Sequence, residues 1–251
     1  MKKTFLFAAL AALSMVSCMN EEFPMLTPTK GYGYINVNVS NEPLEENVAQ
    51  TRATVADYKT WVVTAGDIDL TKDNKVPAGT YTVTAKSHTN MDAALALEDK
   101  WGVAYYEGSA ENVVVAAGGT ATAEINCGKA KNGRITTSFN LAEVFTDVSI
   151  TVGRNLTFNK DNETNKAYFA PGEVSYTLKY KYKGSEEKSI SRAVTVAAGT
   201  EHIISVSSNS NGTITVNITY DDTFADGDDQ NINFDAATGN EVTSGNGQTG
   251  N

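Results

Sequence analysis

Apolar and polar residues alternate with a period of two through most of the chain between residues 31 and 235. In the clearest run, 174–182, Val, Tyr, Leu, Tyr and Tyr alternate with Ser, Thr, Lys and Lys. Such alternation predicts strands with one buried and one solvated face, as in the antiparallel sheets of a β-sandwich. Only 91–101 suggests a helix, and a short one. The same alternation marks 34–39, 80–85 and 214–220.

A repeat divides this strand-rich region in two. Val-Val-Val-Ala-Ala-Gly at 113–118 recurs as Val-Thr-Val-Ala-Ala-Gly at 194–199, 81 residues later. Each copy is followed by an alternating strand, an Asn-Gly pair (132–133 and 211–212) and a second alternating strand. A period of this length suits two similar sandwich domains rather than a solenoid.

We therefore predict an all-β protein with two tandem antiparallel Greek-key β-sandwiches, transthyretin-like or Ig-like. The N-terminal sandwich is expected at 31–140 and the C-terminal one at 141–235, with Ile232 and Phe234 in a closing edge strand. The polar, glycine-rich end at 236–251 is predicted to be a disordered tail.

The first 17 residues predict a secretory signal peptide. Lys2 and Lys3 precede a twelve-residue apolar run at 5–16, and small residues stand near its end. Twelve residues rise only about 18 Å as a helix, which is too short for a hydrocarbon core of about 30 Å.

The stretch Met-Val-Ser-Cys at 15–18 resembles the lipobox of bacterial lipoproteins. The resemblance implies that Cys18 is lipidated and anchors the protein to a membrane, with 18–30 as a tether. The following Met-Asn-Glu-Glu resembles the acidic export signal of Bacteroidetes lipoproteins. It implies an exposed location on the outer face of the outer membrane.

The charge of the mature chain disfavours some partners. After removal of 1–17, 18 basic residues face 30 acidic ones, a formal charge of −12. This charge repels nucleic acid and anionic lipid headgroups. Cys127 alternates with polar residues and is interpreted as a small buried residue of a strand.

No residue pattern predicts catalysis, a metal site or a cofactor, so we expect a protein that is not an enzyme. The two histidines, His88 and His202, are expected at the surface or at strand ends. The acidic segment 221–229 is either a calcium loop or a solvated loop, and its spacing favours the latter. Exposed aromatic side chains could form a sugar-binding platform, whereas buried ones would fill the core. The residues open to both interpretations are Trp61, Trp101, Tyr105 and Tyr106.

The segment Val-Ala-Gln-Thr-Arg-Ala-Thr-Val at 48–55 follows the first strand. Together with the lipobox and two sandwiches, it resembles the fimbrillin-type subunits and related surface lipoproteins of Bacteroidetes. The stretches 76–85 and 105–108 resemble an uncharacterised domain family among those lipoproteins. The resemblance implies cleavage between Arg52 and Ala53 by an arginine-specific protease, loss of the strand at 34–39, and replacement of that strand by one from another subunit.

Two alternatives stay open at Arg52, which is either a processing site or an ordinary loop arginine. The tail lacks the alternating apolar residues of a donor strand, so a lipid-retaining anchor, tip or independent surface protein fits equally well. We predict a non-enzymatic outer-membrane surface lipoprotein that is a fimbrial or adhesin-like component, with other fimbrial subunits among its possible partners. The alternative is a surface glycan-binding lipoprotein of a polysaccharide-uptake system.

Overall fold

The computed structural model describes residues 31–41, 54–55, 61–221 and 230–242. These residues form two β-sandwiches, each with its own apolar core. The prediction of an all-β sandwich protein is confirmed.

The first sandwich packs two sheets face to face. Sheet A has the order β2-β1-β5 with β8 also paired to β1, and sheet B has the order β4-β3-β6-β7. Their shared core contains Ile35, Val37 and Val39 from sheet A and Val63 and Val83 from sheet B. The strands are β1 (Tyr32–Asn41), β2 (Thr54–Val55), β3 (Val62–Ala65), β4 (Ile68–Asp69), β5 (Lys75–Pro77), β6 (Gly79–Lys86), β7 (Glu107–Val115) and β8 (Thr120–Asn126).

The second sandwich is larger. Sheet C has the order β12-β9-β15-β16-β17, and sheet D has the order β11-β10-β13-β14. The strands are β9 (Gly133–Asn140), β10 (Phe145–Val152), β11 (Leu156–Phe158), β12 (Ala167–Phe169), β13 (Gly172–Tyr182), β14 (Lys188–Val196), β15 (Glu201–Ser208), β16 (Thr213–Asp221) and β17 (Gln230–Asp235).

The predicted boundary at residue 140 does not coincide with the division between the two cores. Strand β9 pairs with β12 and β15, and its Ile135 and Phe139 belong to the second core. The Asn132-Gly133 pair lies on the connection from β8 of the first sandwich to β9 of the second. The Asn211-Gly212 pair instead lies in the turn between the paired strands β15 and β16. An Asn-Gly pair between alternating strands specifies a turn, but it does not specify which sheet the next strand enters.

Among the described strands, each sandwich contains one parallel pair, which the antiparallel prediction did not include. Strand β1 runs parallel to β8, and β9 runs parallel to β15. In both cases the first strand of a sandwich lies beside a strand that follows several others along the chain. Parallel partners need such a long connection, because a tight hairpin joins only antiparallel strands.

The helical segment lies where the two sandwiches meet. Helix α1 (Met91–Leu95) begins at Asn90, whose side chain accepts a 2.8 Å hydrogen bond from the Ala93 amide. A 3₁₀ turn (Glu98–Lys100) follows, and the chain then reaches Trp101. The Trp101 ring stands edge-on to Phe158 of the second core, 4.9 Å between centroids. The helix predicted at 91–101 is thus confirmed only at its start.

Candidate functional site

Strand β1 fills the middle of sheet A. The Tyr34 amide donates to the Gly119 carbonyl on one side, and the Ile35 amide donates to the Asn74 carbonyl on the other, both at 2.9 Å. Three β1 side chains are at most 5% exposed: Ile35, Val37 and Val39. Because β1 is bonded at both edges and buried on one face, its removal would open a long apolar groove in sheet A.

Strand β17 closes sheet C from within the same chain. It pairs antiparallel with β16 from Thr213↔Asp235 to Ile218↔Gln230, and Phe234 is 1% exposed. The predicted closing strand with Ile232 and Phe234 is confirmed.

The prediction of a disordered tail at 236–251 is wrong for residues 236–242, which the structure describes as ordered. Ala236 is fully buried, and its amide donates to the Gly212 carbonyl at 2.8 Å. Glu241 bonds Arg192 at 3.0 Å. The last residues, 243–251, lie outside the described part of the chain.

Several predicted features also lie outside the described residues. They are the signal peptide 1–17, the tether 18–30 with Cys18, the pair Arg52 and Ala53, and the acidic loop after Asp221. They stay predictions from sequence.

The four candidate aromatics do not form one exposed platform. Tyr105 and Tyr106 are 4% and 7% exposed, and Trp61 stacks on Tyr106 with 6.2 Å between ring centroids. Trp101 is half-buried against Phe158. Among the described residues, the exposed aromatic rings are instead Tyr32 and Tyr34 on the outer face of sheet A. Alternation with Ile35 could have placed them there, because successive side chains of a strand face opposite ways.

Trp101 does line a cleft of about 430 Å³ between the sandwiches. Three consecutive residues without glycine, Glu98 to Lys100, have left-handed φ values of 49°, 52° and 76° at its rim. Such backbone is costly and persists only where neighbouring structure holds it. The remaining lining residues are Gly102, Thr164, Asn165, Lys166 and Tyr168.

Arg154 holds this strained segment in place. Its Nη2 donates to the Lys100 carbonyl at 2.6 Å and to the Tyr168 carbonyl at 2.8 Å. The Tyr168 amide donates to the Trp101 carbonyl at 2.7 Å. The cleft therefore combines an aromatic ring, carboxylates, an amide and an ammonium group on a braced frame.

Sequence analysis missed a buried ion pair beside this region. Arg134 and Glu201 are 2% and 6% exposed, and Arg134 Nη2 lies 2.5 Å from Glu201 Oε2. Thr136 Oγ1 donates to the other carboxylate oxygen at 2.9 Å. Burial opposes ionisation of Glu201, but Arg134 outweighs it and lowers the pKa of the carboxyl group. The partners are 67 residues apart, so local patterning carries no signal for the pair.

The histidines have different environments. His88 is half-buried after β6, and its Nδ1 lies 3.0 Å from Ser87 Oγ. His202 is the second residue of β15, as a strand-end position predicts, but it is 1% exposed rather than at the surface. Its Nε2 accepts a 3.1 Å hydrogen bond from the Ala197 amide. Burial lowers its pKa to about 4.

Cys127 is a core residue, as predicted. It follows β8, is 2% exposed, and packs in the first core. Burial raises the pKa of its thiol. Among the described residues, no group of three or more His, Cys, Asp and Glu side chains is placed to hold a metal ion. In the same part of the chain, no helix is long and apolar enough to cross a bilayer.

A comparison with models of known protein families identifies the family of this chain. The model of a domain of unknown function, DUF4493, matches residues 33–236. The chain belongs to the DUF4493 family. The match begins inside β1 and ends just after β17, so one DUF4493 domain contains both sandwiches.

The searches of curated proteins and of solved structures do not identify a function. No curated protein matches the chain in sequence. Among solved structures, the DUF4493 chain is similar to a candidate cell adhesion protein from Bacteroides ovatus ATCC 8483, with a TM-score of 0.43 and 12% identity. The similarity covers 77% of this chain and 97% of that protein.

Proposed function

We propose that this DUF4493 protein is a non-enzymatic, lipid-anchored protein of the outer-membrane surface with an adhesive or structural, fimbrial-like role. The signal peptide, the lipobox ending at Cys18 and the acidic residues after it support the location. The formal charge of −12 on the mature chain argues against nucleic acid as a partner.

One observation carries the choice of an anchored protein over a polymerising subunit. Strand β17, the C-terminal strand that a donor would have to supply, is paired within its own chain, and β1 lies in its own sheet A as long as the chain is not cleaved at Arg52. Strand β1 completes the first core and Phe234 of β17 completes the second. A chain that begins at Cys18 therefore needs no strand from a partner, and processing at Arg52 is not required for its fold.

The experiment compares native cells that express the wild-type protein, Cys18→Ser or no protein. We expect the wild type in the outer-membrane fraction, accessible to protease added to intact cells. We expect cells with Cys18→Ser, or without the protein, to adhere less to surfaces and to one another. Equal adhesion of all three strains would contradict an adhesive role. Equal fractionation of the wild type and Cys18→Ser would contradict the lipid anchor.

The cleft between the sandwiches that Trp101 lines supports a second function, binding of glycans for a polysaccharide-uptake system. Aromatic rings stack on sugar faces, and carboxylate and amide groups hydrogen-bond sugar hydroxyls. Trp101, Asn165 and Asp99 bring these groups together at a braced cleft. The cleft also lies between two sandwiches, a common place for ligand sites.

Tryptophan fluorescence tests this second function. In a Trp61→Phe variant, Trp101 is the remaining tryptophan, so a bound glycan would change its emission directly. The matched variant Trp101→Phe leaves Trp61, away from the cleft, and should give no change. Absence of any change across a panel of soluble polysaccharides, or equal changes in both variants, would count against glycan binding at the cleft.

A further inference from the structure

The first sandwich exposes apolar side chains at the end where the chain enters the fold. Tyr32, the first residue of β1, is 58% exposed, Tyr34 is 42% exposed, and Val114 near the end of β7 is 68% exposed. Half of the six large apolar side chains that are exposed in the described residues therefore lie at this one end. Exposed apolar residues are common singly, but a group of them in one place indicates an interaction surface.

Backbone contacts bring these residues together with two turns. The Tyr32 carbonyl accepts from the Gly118 amide at 2.8 Å, and the Gly31 carbonyl accepts from the Ala78 amide at 2.7 Å. Val114 pairs with the second residue of β6, the strand that begins directly after the turn at Ala78. We call this surface the apolar end, and it consists of Tyr32, Tyr34, Val114 and the turns 77–79 and 116–119.

The apolar end differs in charge from the rest of a strongly acidic chain. Its strand ends and turns, residues 31–35, 75–82 and 112–123, contain no aspartate or glutamate, and their only charged residue is Lys75. The Lys75 ammonium lies 5.0 Å from the centre of the Tyr32 ring. Because the mature chain carries a formal charge of −12, an anionic lipid surface repels most of the molecule but not this end.

The length of the tether favours a bilayer as the partner of the apolar end. In the proposed function Cys18 carries the lipid, and 12 residues, 19–30, separate it from Gly31. A chain of this length reaches at most about 45 Å even when it is fully extended. The apolar end is also the part of the first sandwich nearest to the anchor along the chain, because β1 then leads away from it for ten residues.

The shape of the apolar end also fits a lipid surface. The two tyrosines lie on the outer face of sheet A and Val114 on the outer face of sheet B, because the neighbouring Ile35 and Val113 face the core. Stacked sheets are about 10 Å apart, so a single flat ligand does not reach both outer faces. A bilayer that receives the end contacts both faces and the turns between them. Tyrosine suits this place, because its ring is amphipathic and sits at the level of the lipid headgroups.

We propose that the apolar end contacts the lipid surface that holds the Cys18 anchor, with the tyrosine rings and Val114 at the headgroup boundary and Lys75 beside the lipid phosphates. The inference rests on the proposed function, because the anchor brings the end to the membrane and raises its local concentration there. It adds an orientation to that function. The first sandwich stands on its entry end, and the opposite end of β1 points away from the bilayer.

Quenching of a fluorescent dye by nitroxide-labelled lipid tests this orientation. The lipidated protein, isolated from its native membrane, is placed in vesicles of phosphatidylethanolamine and phosphatidylglycerol. The dye is attached at Val114→Cys or, as a control, at Thr89→Cys, an exposed position three residues beyond the far end of β6. Cys18 is blocked by lipid and Cys127 is buried, so the parent protein should take up no dye. We expect the nitroxide to quench the dye at 114 at least about twofold and to leave the dye at 89 unchanged.

Two substitutions on the same face of β1 test the contribution of the apolar end. Tyr32→Glu removes a ring and adds an acid there, so quenching of the dye at 114 should fall to the level seen at 89. Asn36→Glu adds the same charge about 13 Å farther along the strand and should leave the quenching at 114 unchanged. Both side chains are exposed, so both variants should fold, and urea denaturation checks this.

Flotation of the vesicles separates this inference from the function on which it rests. Protein that floats with the vesicles but is quenched equally at 114 and 89 keeps its anchor and overturns the proposed contact alone. Protein that does not float lacks the anchor and overturns both. Equal quenching at 114 in Tyr32→Glu and Asn36→Glu overturns the contact through the tyrosine. A dye at 114 that responds to soluble polysaccharide but not to nitroxide lipid assigns the end to glycans and overturns the lipid contact.

Discussion

Gly33 and Gly133 occupy equivalent positions at the start of the first strand in each sandwich. A β-carbon on Gly33 would lie 2.5 Å from Val115 Cγ1, and one on Gly133 would lie 2.6 Å from Val196 Cγ1. Each glycine also faces the carbonyl oxygen of the first alanine in the Ala-Ala-Gly turn, Ala116 or Ala197. Neither has a left-handed φ, so close approach rather than backbone freedom requires glycine at both places.

Alanine at either glycine should therefore destabilise the protein. We expect Gly33→Ala and Gly133→Ala each to lower the free energy of unfolding by about 2 kcal/mol or more, because the turn must move away. Urea denaturation measures the change. Gly79→Ala is the control: its β-carbon would have no atom nearer than 3.7 Å, so the change should stay within about 0.5 kcal/mol. Equal effects at Gly33 and Gly79 would refute the close approach.

The buried pair of Arg134 and Glu201 should be sensitive to loss of one partner. Glu201→Gln leaves the Arg134 charge buried without its carboxylate, so we expect a loss of about 3–5 kcal/mol in unfolding free energy. Glu187→Gln is the control, because the side chains of Glu187 and its partner Lys179 are 48% and 45% exposed. That exposed pair should contribute less than about 1 kcal/mol. A loss below 1 kcal/mol in Glu201→Gln would show that the pair is not desolvated in solution.

His202 should make stability depend on acidic pH. Its pKa is about 4 in the folded protein against an ordinary value of 6.5 for histidine, mainly because burial disfavours the charged form. The unfolded chain therefore binds the proton first, and the stabilisation present above pH 6.5 is lost as the pH falls toward 4. The full effect is about 3 kcal/mol.

Urea denaturation between pH 7 and pH 4 measures this dependence. His202→Gln, which can still accept from the Ala197 amide, should flatten the decline between pH 6.5 and 4. The decline that remains below pH 4.5 should come from carboxyl groups such as Glu201, whose folded pKa is lowered. An unchanged profile between pH 6.5 and 4 in His202→Gln would exclude His202 as the cause.

Phe234 should test whether β17 belongs to the folded chain. Its side chain is 1% exposed in the second core, so Phe234→Ala should destabilise the protein by about 3–5 kcal/mol. Val242→Ala, at a position 46% exposed, should change stability by less than about 0.5 kcal/mol. Similar, small effects at both positions would mean that β17 is loosely held and free to pair with another subunit.

The sequence predicted what depends on local alternation. Strand character, the buried Cys127 and the closing strand with Phe234 all follow from period-two patterns, and all three are confirmed. The same patterns placed β9 in the first sandwich, because alternation identifies a strand but not the sheet that it joins. The parallel pairs and the contact of Arg134 with Glu201 depend on residues many tens of positions apart, so no local pattern could have revealed them.

The candidate site was harder to predict than the fold. Trp101 was named for its ring, but its place at a cleft depends on Arg154, 54 residues from Lys100 along the chain. The three residues with left-handed φ, 98–100, include no glycine, so the sequence gives no sign of their backbone conformation. Cys18 and Arg52, the two residues with the clearest sequence signals, lie outside the described residues.

Intact-mass measurement with N-terminal mapping, on protein isolated from its native cells, tests the anchored surface protein most directly. The proposed function predicts a chain that begins at lipidated Cys18 and retains β1. A chain that begins at Ala53 without lipid would contradict it. That result would make the protein a processed subunit whose missing strand comes from a partner.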